Sequence, residues 1–216
     1  MSFKVFITGT ALILFLGSCS SALQDGEKAF KDGDLAKALE ILNPIAEKGD
    51  AEAQFIIGNI YSRGSADSDD GGKDVAIDLA KALMWFRKAA VQGNAKAQYR
   101  LGFAYDGGIG VAEDHVEAVK WYRKGADQGN ADAQHYLALS YECGCGIKED
   151  KKEAVKWMRK AADQEDARAQ HDLGVLYELG KGVPIDTIEA AKWYKKAEKN
   201  YPKMFKPTKA ATNNAE

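Results

Sequence analysis

The stretch AKAQYRLGFAYDGGIGVAEDHVEAVKWYRKGADQGN, residues 95–130, decides the fold, because most of it recurs. Its tryptophan, Trp121, belongs to a ladder of four: Trp85, Trp121, Trp157 and Trp193, each 36 residues after the last. Gln98, Gln134 and Gln170 repeat with the same period inside Ala-x-Ala-Gln quartets, and Tyr105, Tyr141 and Tyr177 follow seven residues later. A period of this size marks a repeat array. Gln54 and Tyr61 open an earlier copy, 44 residues before Gln98. Its eight extra residues coincide with Ser65–Gly72, a polar run with turn chemistry, so an enlarged loop is expected there.

Each unit reads as two helices. Ala97, Gln98, Leu101 and Tyr105 stand at helical spacing, and glycines 107, 108 and 110 break the run. Ala118, Val119, Trp121, Tyr122 and Ala126 form the apolar side of a second helix, and Gly129 stands where a left-handed C-cap is favoured. Neither helix can bury that side alone. Stacked neighbours share it, with the tryptophan as the expected plug.

The run Ala-x-Ala-Gln-x-x-Leu-Gly-x-x-Tyr, the Gly-x-Gly-Val loop and Ala-x-x-Trp-Tyr-x-Lys-Ala-Ala resemble the Sel1-like repeat of the tetratricopeptide superfamily. The resemblance covers about 51–201, as units 51–94, 95–130, 131–166 and 167–201. Ala138 departs from it, standing where Gly102 and Gly174 stand. Residues 22–50 read as a degenerate first pair turning at Gly33-Asp34, with Pro44 a candidate kink. The expected fold class is all-α, an α-solenoid of about five antiparallel helix pairs. Residues 202–216 read as a frayed tail.

The N-terminus is a separate object. Lys4 precedes Val5–Gly17, an uncharged run too short to span a bilayer, which needs about 20 apolar residues. It fits the apolar region of a secretory signal. Leu16-Gly17-Ser18-Cys19 resembles the lipobox of bacterial lipoproteins, which implies a signal peptide over 1–18 and acylation at Cys19. An ordinary signal with Cys19 incidental is the alternative. Residues 19–50 then carry the anchor and the first helix pair. By the family's sorting rules Ser20 points to the outer membrane, facing the periplasm of a Gram-negative envelope. Removing residues 1–18 deletes one base, Lys4, and moves the net charge from −2 to −3, too mild to imply nucleic acid.

By similarity to tetratricopeptide arrays, the residue after each glutamine points into a concave groove. That places Phe55, Tyr99, His135 and His171 on one face. Asn59, Phe103, Leu139 and Val175 follow one turn on. Asp106, Glu142 and Glu178 come a turn later, so the groove reads aromatic or imidazole, apolar, then acidic. This is the expected partner-binding surface; a solvated helix face with scattered aromatics is the bland alternative. A metal site is not expected, since equivalent atoms of neighbouring repeats lie about 8–10 Å apart. No cofactor is implied. The stripe Arg87-Lys88, Arg123-Lys124, Arg159-Lys160 and Lys195-Lys196 reads as a solvated outer face, with contact to anionic lipid or partner as the other option. Cys143 and Cys145 are two loop thiols or a local bridge.

Two function classes follow. The first is a lipid-anchored interaction module or assembly scaffold with a protein partner, with an immunity protein neutralising a secreted lipase toxin as a special case. The second is a β-lactamase-like hydrolase, a label some relatives carry. The chain has no Ser-x-x-Lys, Lys-Thr-Gly, Gly-x-Ser-x-Gly or His-Glu-x-x-His run, so catalytic residues are not expected.

Overall fold

The computed structural model describes residues 10–64 and 75–202, with side chains from Ser21 onward. The expected enlarged loop, the tail beyond Pro202, the first nine residues and the Cys19 thiol lie outside the described residues. Among those described there are ten α-helices and no strand, in five antiparallel pairs. Two compact units divide the chain, one ending at Ala97 and one starting at Gln98.

The N-terminal unit holds α1 (Thr10–Lys31), α2 (Leu35–Glu47), α3 (Ala51–Arg63) and α4 (Leu79–Val91). Its core joins Leu42 of α2 to Ile57 and Ile60 of α3 and Trp85 of α4. Pro44 sits inside α2, which runs on to Glu47. No described helix is long and apolar enough to cross a membrane.

The C-terminal unit holds most of α5 (Ala95–Asp106), then α6 (His115–Asp127), α7 (Ala131–Cys143), α8 (Lys151–Asp163), α9 (Ala167–Leu179) and α10 (Thr187–Asn200). One cluster runs through it from Tyr122 through Leu137 and Met158 to Leu173 and Trp193. Helix starts are set locally. Asp114, Asp150 and Asp186 cap α6, α8 and α10, each side chain accepting an N–H of the first turn. Such caps satisfy donors that the helix itself cannot reach.

In the first three units the tryptophan is less deeply buried than the residue after it; in the last it is the deeper of the two, with Trp193 buried and Tyr194 only partly so. Trp157 and Trp193 are buried, but Trp121 is only partly so. In the two middle repeats the plug is the next residue along, with Tyr122 and Met158 at 0% exposure. Each indole instead carries a lysine ammonium over its face, three residues on. Lys124, Lys160 and Lys196 sit 3.9, 3.6 and 3.7 Å from the ring centroids. Such contacts add about 0.5–1 kcal/mol at exposed sites. Half of the basic stripe is therefore held against aromatic faces. The arginines are held too: Arg123 donates to the Tyr141 hydroxyl and Arg159 to the Tyr177 hydroxyl, in the following repeat.

The repeated glutamines are buried and tie three helices together. Gln134 Nε2 donates to the Ala126 carbonyl at the end of α6 (3.1 Å). Its Oε1 accepts from Gln164 beyond the end of α8 (2.7 Å). Gln170 repeats the pattern with Ala162 and Asn200, and Gln54 with Ala46 and Gln92. A buried amide left without partners would cost about 1–3 kcal/mol. The quartet Ala-x-Ala-Gln is thus a joint between neighbouring repeats.

Candidate functional site

The candidate face of the C-terminal unit is built on α5, α7 and α9. Ala97, Leu101 and Ala104 turn α5 inward, which leaves Tyr99 and Phe103 on its other side. Their rings are half-buried and meet Tyr136 of α7, each at 5.5 Å between centroids, with Phe103 edge-on at 84°. Tyr122 of α6 stacks beneath Tyr136 at 5.4 Å. Burial, then the neighbouring Tyr136 and Asp132, push the Tyr99 phenol up to about 12. These aromatics form one mutually supporting cluster. Their edges are available, but the rings also hold α5 to α7.

Leu139 and Val175 continue the apolar row on α7 and α9, both half-buried. Tyr136 belongs to the face and was not among the expected residues. Its equivalents, Arg100 and Asp172, are charged, so the repeat pattern masks it.

One of the two imidazoles does not behave as expected. His135 is 5% exposed, so its ring is not presented to solvent. Its Nε2 lies 2.8 Å from Asp172 Oδ2, and its buried Nδ1 has no hydrogen-bond partner among the described residues. His171 is half-buried, 3.2 Å from the other oxygen of the same carboxylate. Burial pushes the Asp172 carboxyl up. The hydrogen bonds from His135 and His171 outweigh that and hold it below the usual carboxylate range. His135 therefore acts inside the face, joining α7 to α9, because a carboxylate from the next helix reaches its ring. Arg168 makes a parallel joint, with Asp132 of α7 at 2.5 Å.

The acidic row is present and each member has a partner. Asp106 accepts from His115 Nδ1 (2.8 Å) and from the Tyr122 hydroxyl (3.3 Å). Donating that hydrogen bond to Asp106 raises the His115 pKa above its ordinary value. Glu142 accepts from Lys181 (2.8 Å) and Glu178 from the Tyr194 hydroxyl (2.6 Å). The tyrosines come from the residue after each tryptophan. Where repeat three has Met158 there instead, a lysine from the next loop serves Glu142.

In the N-terminal unit, Phe55 is half-buried on α3 with its ring 6.0 Å from Phe86. Asn59 is 4% exposed, and its Nδ2 donates to the Phe55 carbonyl. Like His135 it packs within the helix layer rather than lining a free surface.

Cys143 and Cys145 are joined by a disulfide at the end of α7, Cα to Cα 5.3 Å. Among the described residues no group of three or more His, Cys, Asp or Glu side chains is placed to hold a metal ion. What the face offers is apolar and aromatic contact area, edged by carboxylates, on helices tied at several levels.

A family model, Sel1 repeat, matches residues 51–94, 95–130, 131–166 and 167–200. A Sel1 repeat protein from Oxalobacter formigenes is 35% identical; the match covers 82% of this chain and 69% of that one, with a TM-score of 0.69. A protective antigen of uropathogenic Escherichia coli strains, also with the Sel1-like repeat fold, is 41% identical over 76% of this chain, TM-score 0.68. This chain spans 33% of that antigen's length. An immunity protein from Pseudomonas aeruginosa shares the fold at 21% identity, over 85% of this chain and 66% of that one, TM-score 0.57. A search of curated proteins gives no match. The 36-residue ladder, the five helix pairs of an α-solenoid and these matches agree: the chain belongs to the Sel1 repeat family.

Proposed function

We propose that this protein is a lipid-anchored, periplasm-facing interaction module that binds a protein partner on the α5–α7–α9 face. Sel1 repeat proteins are protein-interaction modules, and that much holds for the family as a whole. The observation that carries the finer reading is the row Tyr99, Phe103, Tyr136, Leu139 and Val175. It is half-exposed, apolar and braced by the His135–Asp172 and Arg168–Asp132 joints. A pre-formed apolar row costs little to order on binding, which favours affinity. Aromatic residues in such rows are frequent anchors. Anchoring through Cys19 and an outer-membrane address are supported by the N-terminal sequence alone. The same face would serve an immunity protein capping a secreted toxin; the Pseudomonas aeruginosa protein shares the fold, and at 21% identity the likeness ends there.

Leu139 and Val175 are better probes than Tyr99 and Phe103, whose rings also hold the helices together. A pull-down from envelope extract identifies the partner, and calorimetry then compares wild type with Leu139→Ala/Val175→Ala. Leu139 also packs on the core, so the double variant is expected to melt modestly lower while staying folded, and to lose about 2 kcal/mol or more of binding. Charge reversal at Lys124 and Lys160 is expected to change affinity far less. If the lysine pair abolishes binding and the apolar pair leaves it intact, the partner sits on the outer stripe and the proposed face is wrong.

A further inference from the structure

Helix α4 breaks the pattern of its equivalents on the outer side. In α6, α8 and α10 a glutamate pairs with a lysine one turn on: Glu117–Lys120 at 2.8 Å, Glu153–Lys156 at 2.5 Å and Glu189–Lys192 at 2.9 Å. At the equivalent places α4 carries Lys81 and Met84. Two turns further, Asp127, Asp163 and Lys199 are matched in α4 by Val91. Met84 is 45% and Val91 71% exposed, although nothing in the repeat's own packing asks for apolar residues there. α6 and α10 expose Val116 and Ile188 in their first turns, and α4 keeps a Lys81–Asp78 pair at 3.4 Å, but only α4 sets Met84 and Val91 where its equivalents carry charged side chains.

These residues line a groove of about 610 Å³ in the N-terminal unit. Ala80, Leu83, Met84, Arg87 and Val91 recur at helical spacing along it, a stripe of about three turns or roughly 16 Å. Its floor is the bonded amide pair of Gln92 and Gln54 (2.7 Å). Arg87 and Lys88 bring two positive charges to the lining, and no carboxylate lies among the lining residues. The Lys88 ammonium is held 4.3 Å over the Trp85 ring, so its place is set before any partner arrives.

We infer that the outer face of α4 is a second docking surface, taking an amphipathic helix of a partner protein whose apolar stripe is flanked by carboxylates. The length of the stripe fits a helix laid alongside, ridge into groove. The charge fits an acidic flank. A second copy of this chain, docking by the same face about a two-fold axis, would set the Arg87-Lys88 pairs against each other. The surface lies in a different unit from the α5–α7–α9 face, so the module holds two partners, or two parts of one, independently.

The test uses the purified full chain and two synthetic helical peptides of about four turns, with the same leucine stripe, flanked by glutamate in one and lysine in the other. Fluorescence anisotropy is expected to show the glutamate peptide binding at least tenfold more tightly. Met84→Lys with Val91→Asp replaces the two exposed apolar side chains by the charged types that α6 and α8 carry at these places. It is expected to cost at least tenfold in affinity for that peptide while melting is unchanged, since both side chains are exposed. Leu139→Ala/Val175→Ala is expected to leave this affinity unaltered, which separates the two surfaces. Equal binding of the two peptides, no binding of either, or indifference to the α4 substitutions overturns the proposal. So does flotation with phosphatidylglycerol vesicles that the α4 substitutions abolish, which would assign the face to a membrane. A dimer seen by sedimentation and lost on Met84→Lys/Val91→Asp would assign it to a second copy, and likewise overturns it.

Discussion

At the scale of single residues, the departure at Ala138 is explained by what it faces. A Cβ at Gly102 would lie 2.6 Å from a ring carbon of Tyr122, and one at Gly174 equally close to Tyr194. In repeat three the glycine is Ala138 and the ring is Met158, both at 0% exposure. A flexible thioether leaves room for a methyl group where a phenol does not. Gly102→Ala is therefore expected to cost about 1–3 kcal/mol. In a Tyr122→Met background the same substitution is expected to cost about 1 kcal/mol less, read by urea denaturation as a double-mutant cycle. An identical cost in both backgrounds would mean that the two positions are not a matched pair. Asp172 gives a second test at this scale. Its folded pKa is depressed, so its contribution to stability is present above the unfolded carboxylate value of about 3.9 and is lost as pH falls through the folded one. Asp172→Asn should melt lower than wild type at pH 7, with the gap closing on acidification below about pH 4. A gap that stayed constant with pH would show the charge on the Asp172 carboxylate to be unimportant.

At the scale of helices, turns and caps follow the sequence closely, and one exception stands out. Gly49, Gly93 and Gly129 close second helices with φ of 102°, 95° and 88°. The equivalent in the next repeat is Glu165, at φ 66°. A side chain in that region is strained, and glycine is not. Glu165→Gly is expected to stabilise the protein by about 0.5–1 kcal/mol, measured by thermal melting. A loss of stability would mean that the Glu165 side chain makes contacts worth more than the strain. Helix existence and the Gly129 C-cap were readable because each depends on residues within about four positions. The exchange between tryptophan and its successor as the deepest residue was not. Both lie on the buried side, and which goes deeper differs between repeats: Tyr122 and Met158 lie deeper than their tryptophans, and Trp193 lies deeper than Tyr194.

At the scale of the whole molecule, the anchor is the feature that the described residues leave to experiment. Cys19→Ala is expected to abolish incorporation of labelled fatty acid and to release the protein from the membrane fraction. Equal labelling of variant and wild type would end the lipoprotein reading. The sequence by itself determined the repeat, the five helix pairs and that Tyr99 and Phe103 share one side of their helix, with Leu139 and Val175 at the equivalent places. A 36-residue period and a 3.6-residue helical turn are properties of the chain alone. Only the tertiary structure decided which of those residues remain reachable. His135 and Asn59 share the period of the face yet are buried, and Asp172 reaches the His135 ring from the next helix. Tyr136 joins the face because rings on α5 and α6 converge on it. Exposure is set by neighbours distant in sequence, and periodicity carries no information about what those neighbours bring.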